Sequence, residues 1–207
     1  INFNFLQIIF NQWMSSSIAF NEMNDWFEND LQEIKVDGKN WGMCCNSVHY
    51  LEYLDYISSR QGLIISDSNI DNAVLKSKRD GYYELTGTLT VKSKSGIKMT
   101  LTSQNLKNNN DDIYIHMMGK GKTLDASLSG NTLKCIYYNE FSEKIYKEYE
   151  LPLQSQITSN IVEQLFYHKS CSLPTYEQSI KQHLIIFDCF KRVFKQQLGL
   201  INKCPIT

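Results

Sequence analysis

Stretches of period two and stretches of helical spacing follow one another in a definite order along the chain. From Glu33 to Asp37 polar and apolar residues alternate before Gly38, which predicts a short half-buried strand and its turn. From Asn46 to Ser59 the apolar residues Tyr50, Tyr53, Leu54 and Ile57 recur at helical spacing, with Glu52, Asp55 and Ser59 on another face. A helix is expected there. Tyr83, Leu85, Leu89 and Val91 then alternate with Glu84, Thr86, Thr88, Thr90 and Lys92 up to the turn Lys94-Ser95-Gly96, and Ile97, Met99 and Leu101 resume the alternation. This predicts an antiparallel hairpin with one Thr/Lys-rich face. Ile113 to Met117, Leu124 to Leu128 and Leu133 to Tyr138 continue the meander through turns at Gly119-Lys120-Gly121 and Ser129-Gly130-Asn131. Lys147 to Leu153 adds an edge strand that ends near Pro152.

Two helices close the chain, one carrying Ile157, Ile161, Val162 and Leu165, the other Ile180, Leu184, Phe187, Val193, Phe194 and Leu198. Thr175 with Gln178 reads as a capping box and Gly199 as a C-cap. Residues 1 to 30 have mixed periodicity around Trp13, Phe20, Trp26 and Phe27 and are read as helix. The order α, β, α, meander, α, α predicts an α+β fold, a mainly antiparallel open sheet with its helices on one face. An N-terminal arm or remnant over 1–32 and one domain over 33–207 are the expected organisation.

Composition narrows the functional classes. At 207 residues, with 42% apolar, 12% aromatic and 21% charged residues, the chain is long and apolar enough to bury one core. Its 21 Lys plus Arg against 22 Asp plus Glu create no field that would draw it to nucleic acid or to an anionic membrane. The basic run Lys191-Arg192-Val193-Phe194-Lys195 reads as the solvated face of a helix near its C-terminus. Six scattered cysteines without a CxxC argue against structural zinc and for a reducing compartment, the cytoplasm. The segment Ile1 to Met14 has no basic leader region, and no apolar run approaches the roughly 20 residues of a membrane span. An isoleucine at position 1 is what a chain cut upstream would show.

Few motifs carry chemistry. Gly121-Lys122-Thr123 lacks the glycine that a phosphate loop needs at His116 and is read as a hairpin turn. No GxGxxG exists, so no Rossmann domain is expected in this chain. His116, His168 and His183 have no carboxylate at catalytic spacing and are read as surface or core residues. His49 differs in its neighbours: Cys45, His49 and Glu52 or Tyr53 fall in one stripe near a helix start, where unpaired N–H groups also point outward. The alternative is a histidine that caps or packs there.

The segment Asn40-Trp41-Gly42-Met43-Cys44-Cys45-Asn46-Ser47-Val48-His49, continued to Glu52, resembles the second-domain signature of Gfo/Idh/MocA-type oxidoreductases. In that signature an Asp-x-Gly-x-His-x-x-Asp pattern opens a helix. His49 matches the histidine, Ser47 the small residue and Glu52 the last acid, while Cys45 stands at the first Asp. The wording also resembles a branch linked with surface-polysaccharide and sugar-nucleotide genes, as do Leu173-Pro174-Thr175-Tyr176-Glu177 and Cys204-Pro205-Ile206-Thr207.

The resemblance spans residues 33 to 207 and implies the family's C-terminal domain, homo-oligomerisation through its sheet, and a sugar or nucleotide-sugar substrate. It implies NAD(P) as cofactor, bound by a nucleotide domain that this chain lacks. His49 would take or orient a hydroxyl proton, Asn46 would hydrogen-bond the sugar, and Trp41 would stack on it unless it serves the core. Cys45 and Glu52 complete the implied substrate site. A thiol at Cys45 cannot replace a carboxylate unless ionised, and the family's Glu-Lys-Pro lysine belongs to the nucleotide domain. The isolated chain is therefore expected not to turn over. Three readings remain open: the catalytic half of a longer enzyme, a sugar-binding or oligomerisation module, and an unrelated α+β domain with a structural His49.

Overall fold

In β1 (Leu31–Lys39) Ile34 and Val36 point to one side, and strands on either flank match them with pairs of their own. In the computed structural model, which describes residues 14–15, 17–106, 112–168, 173–200 and 204–206, β1 lies between β6 (Lys98–Gln104) and β7 (Ile113–Gly119). Met99 and Leu101 sit beside Ile34 and Val36 in parallel register, and Met117 and Ile115 beside them in antiparallel register. Outward from this centre run β5 (Gly87–Ser93) and β2 (Leu63–Ile70) on one flank. On the other run β8 (Lys122–Ser129), β9 (Thr132–Tyr138) and β10 (Lys144–Glu150). Every pairing in this eight-stranded sheet except β1 with β6 is antiparallel. A separate two-stranded ribbon joins β3 (Leu75–Lys76) to β4 (Tyr83–Glu84).

The apolar face of the sheet is covered by α1 (Ile18–Asp25), α2 (Met43–Ile57) and α4 (Tyr176–Leu198), while α3 (Gln154–His168) follows β10. Phe20 and Met23 of α1, Leu51, Tyr53 and Leu54 of α2, and Phe190 and Phe194 of α4 are all fully buried in one cluster. Burying each such side chain contributes about 1.5–3 kcal/mol. Tyr53 donates its hydroxyl to Phe20 O at 2.8 Å, and the two rings meet edge to face at 5.3 Å. The expected α+β class, with a mainly antiparallel open sheet and helices on one face, is the architecture observed.

Several expectations shift. The helix predicted from Asn46 begins at Met43, and Glu52 and Asp55, on a face apart from the apolar stripe, are nonetheless buried, Glu52 against Arg60 and Asp55 against α4. Gln182 of α4 donates to Asp55 Oδ2 at 2.9 Å. Gly38 lies inside β1, so the turn falls at Asn40 to Gly42. A Cβ at Gly38 would meet the Trp41 ring at 2.9 Å, which makes glycine the residue that lets Trp41 fold back on its own strand. Leu184 is exposed, not part of the apolar stripe, and β10 starts at Lys144 instead of Lys147. Periodicity did not predict β2 or β3, because Asp67, Ser68 and Asn69 interrupt the first and the second has only two residues. The strand expected from Tyr83 to Lys92 divides into β4 and β5, which belong to different sheets. The capping box of Thr175 and Gln178 and the left-handed C-cap at Gly199 both form. Trp13, the Asn108-Asn109-Asn110 loop and Cys171 lie outside the described residues.

Candidate functional site

The chain leaves β1, turns through Asn40 and Gly42 and enters α2 beside a cleft of about 720 Å³, within the range of small-molecule sites. Three anchors hold the turn. Asn40 N–H donates to Gln104 O and its side-chain amide to Leu106 O at 2.8 Å, while Trp41 Nε1 donates to Thr102 O at 2.9 Å. Gly42 caps α2 at φ +77°, where a Cβ would also press on the Asn46 amide at 3.0 Å. Asn46 in turn donates to Trp41 O at 2.6 Å, which leaves its carboxamide oxygen for a donor in the cleft.

The first turn of α2 has no acidic residue of its own, and a carboxylate from elsewhere supplies the charge. Glu84 of β4 accepts from Cys44 N–H at 2.9 Å, satisfying one of the orphan donors of the helix start. Burial raises the Glu84 carboxyl above its ordinary range, opposed by the backbone N–H groups of Cys44, Cys45 and Leu85. Burial likewise pushes the Cys44 thiol far up, so that thiol stays protonated and inert. The C-terminal segment closes the same region: Tyr83 N–H donates to Pro205 O at 2.8 Å, and Tyr83 packs on Phe194 at 6.4 Å. The two segments that carry the family resemblance thus meet around the β3–β4 ribbon.

Of the residues singled out from sequence, Trp41, Cys45 and Asn46 line the cleft. Trp41 does so with only 6% of its surface exposed, its ring edge-on to Tyr50 at 5.5 Å, so it belongs as much to the core as to the cleft. His49 sits one turn beyond Cys45, half-buried, and is not among the residues lining the cleft. Glu52 is farther still: it is fully buried and paired with Arg60 Nη2 at 2.9 Å. Desolvation pushes its carboxyl up to about 7 against the pull of Arg60.

The cleft also gathers residues that sequence reasoning passed over: Lys76, Lys78, Arg79, Glu84, Thr86 and Ser103. A signal existed for three of them, since Lys76-Ser77-Lys78-Arg79 is a second dense basic run beside the one at Lys191. Glu84 and Ser103 gave none, because both looked like ordinary members of strands.

On the sheet's other face His116 Nδ1 lies 2.6 Å from Asp125 Oδ1. Sequence spacing hid this carboxylate, nine residues away but directly opposite across the β7–β8 pair. His183 Nδ1 meets Ser179 O at 2.9 Å, a histidine satisfied within its own helix. Among the described residues no group of three or more His, Cys, Asp or Glu side chains could hold a metal ion, and the described cysteines are free thiols. No described helix is long and apolar enough to cross a membrane.

No family model and no curated protein matches the chain. Solved structures do. UDP-N-acetylglucosamine 3-dehydrogenase from Acidithiobacillus ferrooxidans matches with a TM-score of 0.55 at 8% identity over 86% of this chain and 58% of its own. A 3-ketoreductase from Actinomadura kijaniata, solved with TDP-benzene and NADP, matches with a TM-score of 0.52 at 11% identity over 87% and 58%. A super-repressor mutant of Gal80p from Saccharomyces cerevisiae matches with a TM-score of 0.55 at 14% identity over 90% and 62%. The chain thus spans about three fifths of the length of these structures. At such identities the likeness is one of fold, and the fold is that of the C-terminal domain of Gfo/Idh/MocA-type oxidoreductases.

Proposed function

We propose that this chain is the substrate-binding half of an NAD(P)-dependent oxidoreductase of the Gfo/Idh/MocA type, acting on a sugar or nucleotide sugar in surface-polysaccharide biosynthesis. The observation that carries the reading is that the resembling segment, Asn40 to Asn46, builds one wall of a cleft of sugar-binding size. In support, two structures of the same fold bear the names of a nucleotide-sugar dehydrogenase and a ketoreductase.

In this reading the Asn46 carboxamide takes a hydroxyl of the sugar, the exposed edge of Trp41 lies against its ring, and Cys45 borders the same wall. His49, one turn along, orients or receives the proton of the reacting hydroxyl; a neutral imidazole suits that exchange near neutral pH. Glu52 acts on the site only through the helix that it helps to bury.

The described residues do not fit NAD(P). Strand, turn and helix do follow one another at β1 and α2, but the helix start that would take a pyrophosphate already holds the Glu84 carboxylate. The cofactor would be bound by a nucleotide domain acting together with this one. A second reading, a non-catalytic sugar-binding module that joins a complete homologue or another copy through the sheet, is favoured by Cys45 at the position of the signature's aspartate. Tyr114 and Tyr146, exposed on the open face, would lie in that contact.

Calorimetry on the chain tests the site. Saturable binding of a sugar or nucleotide sugar that Asn46→Ala weakens about tenfold is expected, without binding of NADPH. Failure of every sugar tested, or ligand density in crystals that lies only away from the cleft, would overturn the assignment.

A further inference from the structure

One buried polar group in the cleft has no partner among the described residues. Ser103 alternates in β6 with Met99 and Leu101, so it faces the side of the helices; it is 2% exposed and lines the cleft. Its Oγ has no hydrogen-bond partner among the described residues. A buried hydroxyl left unsatisfied is costly, and native structures seldom tolerate one without a reason.

The same cleft is lined by three cations within four residues. Lys76 ends β3, and Lys78 and Arg79 lie in the turn held by Ser77 N–H to Tyr82 O and Tyr82 N–H to Arg79 O. All three line the cleft, and none forms an ion pair among the described residues, although seven other ion pairs do form there. The carboxylate in the cleft, Glu84, does not answer them, because it is turned to the N–H of Cys44.

We propose that Lys76, Lys78, Arg79 and Ser103 form a subsite for a phosphoryl group carried by the sugar ligand, the basic turn supplying charge and the Ser103 hydroxyl a hydrogen bond. This deepens the sugar-binding reading above and rests on it for the sugar. A phosphoryl group suits the set because its several oxygens can accept from a guanidinium, two ammonium groups and a hydroxyl together. The sugar would then extend from this subsite along the wall of Trp41 and Asn46.

The test is calorimetry on the full chain at low salt with four probes: N-acetylglucosamine, its 1-phosphate, UDP-N-acetylglucosamine, and inorganic phosphate. We expect both phosphorylated sugars to bind at least about tenfold more tightly than the neutral sugar, an advantage that shrinks as salt is raised. The combined variant Lys76→Ala, Lys78→Ala, Arg79→Ala should erase that advantage and leave neutral-sugar affinity unchanged. Ser103→Ala, a small change within a strand, should weaken only the phosphorylated probes, about fivefold. Equal affinity for neutral and phosphorylated sugars, or an advantage that survives both variants, would overturn the subsite and leave the sugar cleft standing. Binding of inorganic phosphate that the triple variant abolishes, with no gain from any sugar, would keep the subsite and sink the sugar reading. Absence of binding by all four probes overturns both.

Discussion

Two polar clusters flank the same helix, and they are built on opposite terms. Under the middle of α2, Glu52 is paired with Arg60, and Asp55 accepts from Gln182 and from Gly62 N–H. Glu52 and Asp55 are buried and each side chain has a partner inside the fold, although Glu52 Oε2 and Arg60 Nη1 themselves accept or donate no hydrogen bond among the described residues. At the start of α2, Ser103 is just as buried yet unpartnered, and three cations face a cleft without counter-ions among the described residues. In the first cluster each charged side chain has a partner within the fold, whereas in the second neither the three cations nor the Ser103 hydroxyl has one among the described residues. The contrast separates Glu52, which sequence had placed in the substrate site, from Asn46, six residues earlier on the same helix.

The comparison is broken most directly at Arg60. Arg60→Met leaves Glu52 without its cation in a site closed to water, and at pH 8 this should cost about 3–5 kcal/mol of stability in denaturant unfolding. Ligand affinity of the folded molecules should not move. A loss below about 1 kcal/mol would mean that Glu52 is effectively hydrated, and the clusters would no longer differ in kind.

The pH dependence of stability gives the next largest effect. Burial raises the Glu52 carboxyl from 4.5 in the unfolded chain to about 7 in the fold, so between these values the folded state holds the extra proton. Stability must then fall as pH rises from about 4.5 to about 7, with the penalty absent below the unfolded value and complete above the folded one. The decline is on the order of 3 kcal/mol. Melting followed from pH 4.5 to 8 should show this slope in the native chain and a flatter profile in Glu52→Gln. An unchanged profile would assign the slope to other groups.

What sequence could and could not reveal divides along the same line. Alternation exposed Ile34 and Val36, Met99 and Leu101, and Ile115 and Met117 as strand faces, because each repeats its pattern within a few residues. The helix over Tyr50, Tyr53 and Leu54 was legible for the same reason. The burial of Glu52 and Asp55 was not, since Glu52 is closed off with Arg60 beyond the end of its own helix and Gln182, which meets Asp55, lies 127 residues away. The cleft was half legible: Trp41, Cys45 and Asn46 sit in one contiguous segment, but Glu84 and Ser103 join them only when β4 and β6 are brought alongside. Periodicity reports which face a residue occupies, not which distant residue shares it. His116 and Asp125 make the same point across one pair of strands.

The smallest effect, and the sharpest probe of the second cluster, belongs to Glu84. Glu84→Gln keeps an oxygen to accept from Cys44 N–H but removes the charge that complements the start of α2, so it should cost less than about 1 kcal/mol. The same change removes the carboxylate from a cleft already lined by Lys76, Lys78 and Arg79. A phosphorylated sugar should then bind a few-fold more tightly, while a neutral sugar is unaffected. Calorimetry of both ligands on the variant measures the difference directly. If the two affinities shift alike, Glu84 touches the sugar itself; if only the phosphorylated ligand gains, Glu84 serves the helix and the vacant charge of the cleft belongs to its ligand.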